Sequence, residues 1–80
     1  MLYAREVMDL MGAYPGRQWR MREILRYVEV TRHPAGLDRQ RKKAIRVGVG
    51  RVVDALIFHG AVDRVPPRGR GSFALYAWRN

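Results

Sequence analysis

The sequence predicts an α+β fold: three helices followed by a C-terminal two-stranded β-hairpin, in one domain over residues 1–80. Three observations point there. Apolar residues recur at helical spacing in three separate stretches before Gly60. After Gly60 the period changes to two. The segment Pro66–Gly71 then divides this period-two region as a hairpin loop would, because proline has no N–H to give a central strand.

The elements follow in order. Tyr3, Val7, Leu10, Met11 and Tyr14 stand at i, i+4, i+7, i+8 and i+11, one face of a first helix. Gly12 weakens that helix and Pro15-Gly16 ends it. Trp19, between Gln18 and Arg20, reads as a short extended piece. Met21, Ile24, Leu25 and Val28 mark a second helix, and Val30 to Leu37, with Thr31, Pro34 and Gly36, reads as a loop. Asp38 suits an N-cap, since its carboxylate accepts a bond from an orphan N–H. Ile45, Val49, Val52, Val53 and Leu56 form the stripe of a third helix, which His59-Gly60 closes. Asp38 to Lys43 contains no apolar residue, so this stretch is expected to overhang the core.

Gly48 and Gly50 each cost about 1 kcal/mol relative to alanine inside a helix. A close approach of a ligand to the backbone would explain them, and so would a kink or tight helix packing. Whether the third helix runs unbroken from residue 39 or starts afresh near Gly48 is equally open. Ala61–Val65 and Ser72–Trp78 are the expected strands. If Phe73 and Leu75 face the core, Tyr76 and Trp78 on the other face pack on the first helix or make a dimer contact. Phe58 falls on the outward side of the third helix.

Composition removes several function classes. Hydrophobic residues make up 48% of the chain, enough for a small core and too much for a disordered basic tail. The absence of cysteine excludes disulfides, iron–sulfur clusters and zinc fingers. No apolar run approaches the ~20 residues of a membrane span, and the first residues turn charged too early for a secretory signal. A cytoplasmic location is the expectation. His33 and His59 have no carboxylates at metal-ligand spacing, and Ser72 has no visible base. Glu6, Asp9, Glu23 and Glu29 suit partners for nearby arginines better than an acid–base pair. No enzyme, metal or cofactor is expected.

The formal charge is +9 and the isoelectric point about 11.3. Residues 38–51 carry +5 and residues 64–80 carry +4, with −2 between them and +2 over residues 1–37. A surface charged only for solubility intersperses its signs. Two blocks of one sign suit a polyanion.

The order helix, short extended piece, helix, longer helix, strand, basic Gly/Pro loop, strand resembles the winged helix-turn-helix family of bacterial and phage DNA-binding proteins. The likeness is closest over residues 49–76. Val49, Val52, Val53 and Leu56 precede Gly60 at the spacings of that family's recognition helix, and Gly60-Ala61-Val62 leads into the wing. Pro66 to Gly71 matches a basic wing, and Phe73-Ala74-Leu75-Tyr76 the returning strand. The resemblance implies a single winged-helix domain that binds double-stranded DNA sequence-specifically. A small transcriptional regulator is the expected role, and a phage or plasmid origin would suit its size. The third helix would enter the major groove and the wing would meet phosphate or minor groove.

Projected at 100° per residue, the side opposite the apolar stripe holds Gln40, Lys43, Val47, Gly50, Arg51 and Asp54, with Arg39 and Arg46 on its flank. Arg46 or Arg51 suits guanine, Gln40 adenine and Val47 a thymine methyl. Lys42 and Lys43 suit phosphates, Arg68 and Arg70 a narrow minor groove, and Arg20 and Arg22 further phosphates. Two other partners fit the charge. One is an acidic protein, with Phe58, Tyr76 and Trp78 offering an adaptor or homodimer surface; the other is structured RNA.

Overall fold

Each helix buries most of the stripe that its sequence spacing marks; Tyr14, the last residue of the first stripe, is instead 52% exposed. The computed structural model describes residues 2–80 and orders them as α1 (Ala4–Ala13), β1 (Gln18–Arg20), α2 (Met21–Arg32), α3 (Arg39–Phe58), β2 (Val62–Val65) and β3 (Leu75–Trp78). Val7, Leu10 and Met11 of α1 meet Ile24 and Val28 of α2 and Ile45, Val49, Val52 and Val53 of α3. Trp19 and Val62 bring the sheet to the same core. The fold is α+β, with three helices and a three-stranded antiparallel sheet.

The third strand corrects the expected two-stranded hairpin. Gln18–Arg20 pairs antiparallel with β3, Trp19 lying opposite Tyr76, so the order is β1-β3-β2. A lone hairpin would leave one edge of β3 with unpaired N–H and C=O groups. β1 occupies that edge, and its alternation buries Trp19 while Gln18 and Arg20 face outward.

The strand after the loop is also shorter than expected. Pairing begins at Leu75 rather than Ser72, and Phe73 is 56% exposed. Tyr76 and Trp78 pack against the core instead. Their cross-strand neighbours explain this: Tyr76 lies beside buried Trp19, and Trp78 beside buried Val62. Both aromatics are half-buried, whereas Phe58 is 86% exposed.

α2 runs through Val30 and Thr31 to Arg32, so the connection to α3 is shorter than expected. Arg32 gives its last turn a purpose. Its Nε donates to Glu6 Oε1 at 2.8 Å, and its guanidinium lies 4.8 Å from the centre of the Tyr3 ring. Tyr3 is buried and takes the left-handed backbone at φ 70°, a costly conformation for a non-glycine residue that surrounding contacts must hold. This arrangement ties the start of α1 to the end of α2.

The Arg32 hydrogen bond holds the Glu6 carboxyl below its ordinary range, against the opposite pull of burial. A carboxylate with a lowered folded-state pKa adds stability above its unfolded value and loses it as pH falls through the folded one. Thermal unfolding midpoints are expected to drop over that acid range. Arg32→Met should be less stable than the native chain at neutral pH, and the gap should narrow on acidification. A pH-independent gap would show that the ion pair contributes nothing.

α3 is continuous through Gly48 and Gly50. Asp38 caps it as expected, Oδ1 accepting from the Arg41 N–H at 2.8 Å. At its other end Gly60, at φ 81°, allows a Schellman closure: Ala61 N–H bonds the Leu56 carbonyl and Gly60 N–H that of Ile57.

Candidate nucleic-acid interface

The first turns of α3 stand clear of the core. Every residue from Arg39 to Ala44 is exposed, and Ile45 is the first buried one. The absence of apolar side chains from Arg39 to Lys43 dictates this, since nothing there is gained by burial. Acidic side chains are favoured in a first helical turn, and here there are none.

Five of the eight residues expected to bind DNA share one hollow of about 410 Å³: Arg39, Gln40, Lys42, Lys43 and Arg46. Arg51 lies one turn further on and shares a second groove with Gln40 and Lys43. Arg68 and Arg70 line neither. Arg70 sits at the tip of the β2–β3 loop, in a turn from Gly69 to Ser72 with Gly71 at φ 78°. A positive φ at the third turn position is the type II pattern. Ser72 Oγ donates to the Gly69 carbonyl at 2.7 Å and accepts from its N–H at 3.0 Å, which fixes the tip and accounts for the serine.

None of the seven cations in this set has a carboxylate partner. Among the described residues the ion pairs are Arg5–Asp9, Arg32–Glu6 and Arg79–Asp63, all outside it. Glu23 accepts from the backbone N–H of Arg20 at 2.8 Å and so caps α2. Arg20 instead lays its guanidinium over Phe73, 4.9 Å from the ring centre. Arg20 and Arg22, at the start of α2, thereby adjoin Phe73 and Ala74 at the base of the basic loop.

The two α3 glycines separate. A Cβ on Gly48 would stand 2.6 Å from two carbons of the Tyr3 ring, so this glycine serves tight packing of α1 on α3. A Cβ on Gly50 would meet nothing within 4 Å. No contact inside the fold asks for glycine there.

Leu2 and Tyr3 were not foreseeable as neighbours of this surface, yet both line the groove that holds Arg51. Only the small residue at Gly48 hints that something presses on α3, and it does not say what. Among the described residues, no helix is long and apolar enough to cross a membrane, and no group of three or more His, Asp or Glu side chains stands ready for a metal. The chain matches no protein-family model, no curated protein and no solved structure, so what this surface binds is read from its own residues.

Proposed function

We infer that the chain is a sequence-specific double-stranded DNA-binding protein of the winged helix-turn-helix type, acting as a small transcriptional regulator. One observation carries the reading: α3 projects unpaired cations and Gln40 beyond the core on turns exposed all round. Arginine and glutamine are the side chains that read guanine and adenine in a major groove, which admits one helix. The sheet order and the basic loop between β2 and β3 suit a wing, whose Arg68 and Arg70 would meet phosphate or minor groove. Gly50 supports the same reading, because a backbone left bare at about 1 kcal/mol cost suits a ligand that comes close.

The test is a mobility-shift series with random duplex, single-stranded and RNA pools across salt concentrations. Duplex DNA should be retained and particular sequences enriched. Arg46→Ala and Arg51→Ala should each relax base preference by about 1–3 kcal/mol at one position. Lys42→Ala and Arg70→Ala should weaken all duplexes alike and lower the salt slope by about one each. No effect from any of the four would overturn the reading.

A second reading rests on Phe58. Its exposure, beside Asp54 on the far half of α3, suits an adaptor that docks on a protein. Preference of the pools for RNA, or binding to none of them, would turn attention to these alternatives.

A further inference from the structure

Leu2 and Val47 lie outside the core, yet they line one groove. Leu2 is 62% and Val47 45% exposed, and with Ala44 they line an open groove of about 520 Å³. The groove runs between the lead into α1 and the outer side of α3, and Gln40, Lys43 and Arg51 also line it. Leu2 is anchored from next door. Tyr3 seats its ring on Gly48, and its carbonyl accepts the first helical bond, from Val7 N–H at 3.1 Å. An apolar side chain on a loose lead would have no fixed position; this one follows directly from a residue seated on α3 and lines a groove with it.

Charge and shape select the occupant. Two cations and an amide match a polyanion, whereas the apolar floor asks for an apolar group carried by that polyanion. Among the base edges of a duplex major groove, the apolar feature is the C5 methyl of thymine. RNA carries uracil, which lacks it, and the major groove of an RNA helix is too narrow for side chains to read.

We propose that Leu2, Ala44 and Val47 form a methyl-reading slot through which α3 senses thymine, with Gln40, Lys43 and Arg51 on the adjoining base edges and phosphates. The proposal rests on the duplex-DNA reading above and adds to it a specificity residue, Leu2, that is not on the helix in the groove.

The experiment takes duplexes that the protein enriches from a random-sequence pool. Each is compared with a copy in which deoxyuridine replaces thymidine, so that only methyl groups are removed. Each methyl lost from the slot should weaken binding about fourfold, the worth of one buried methyl group. Leu2→Ser and Val47→Ser, both at exposed positions, should abolish the preference for thymidine. Equal binding of the two copies by the native chain would overturn the slot and leave the DNA reading standing. Failure to bind any duplex would overturn both. If Val47→Ser loses the preference and Leu2→Ser keeps it, α3 reads the methyl alone and the role of Leu2 is refuted.

Discussion

Gly48→Ala is expected to lower the free energy of unfolding by up to about 2 kcal/mol, although alanine is the better helix former. The new Cβ would stand 2.6 Å from the Tyr3 ring, which cannot easily retreat because it is buried and lies under the Arg32 guanidinium. Overpacking of this kind typically costs about 1–3 kcal/mol, more than the roughly 1 kcal/mol of gained helix propensity. Gly50→Ala is the internal control. With open space around its Cβ it should stabilise the chain by up to about 1 kcal/mol and weaken duplex binding. Urea unfolding of the two variants checks the opposite signs. Two stabilising substitutions would show that Tyr3 does not hold its place on α3.

The largest effect on binding is expected from Arg39, Lys42, Lys43 and Arg46 replaced together by alanine. Arg46 is the base reader of the four; three phosphate contacts at about 0.9 each should lower the slope of log affinity against log salt by about three. At physiological salt the affinity for duplex DNA should drop by about two to three orders of magnitude. The fold should survive, because all four side chains are exposed. Stability should even rise by up to about 1 kcal/mol, since cations in a first helical turn oppose the helix dipole. Titrations at several salt concentrations, with thermal unfolding alongside, separate the two effects. An unchanged slope would remove α3 from the interface.

The opposite signs expected at Gly48 and Gly50 show where sequence reading stops. Helical spacing placed the buried stripes of all three helices, and Asp38 and Gly60 marked the ends of α3, because caps and periodicity act over a few residues. The two glycines are indistinguishable on that scale. What separates them is Tyr3, 45 positions before Gly48 in the chain. β1 was hard to read for a related reason. Three residues are too few to display a period, and their pairing with β3 joins segments more than fifty residues apart. Alternation after Ser72 identified two strand faces, but only the neighbours Trp19 and Val62 determine which face turns inward. Of the candidate interface, the basic residues of α3 were legible from charge and helical projection. Leu2 was not, since the groove that it shares with Val47 depends on how α1 lies across α3.

The overhang of α3 has a length. At about 1.5 Å per residue, the six residues from Arg39 to Ala44 carry the helix roughly 9 Å past its first buried side chain. The DNA major groove is about 8.5 Å deep. Over that distance α3 has no inward side, so the division into a buried and an outward face, drawn from its apolar stripe, stops at Ile45. Arg41 and Lys42 project toward the stripe side of the helical wheel, yet they are exposed, as Lys43 is. A helix end of this kind presents charge in every direction, so on the duplex-DNA proposal one row of cations would follow one phosphate strand while the opposite row follows the other.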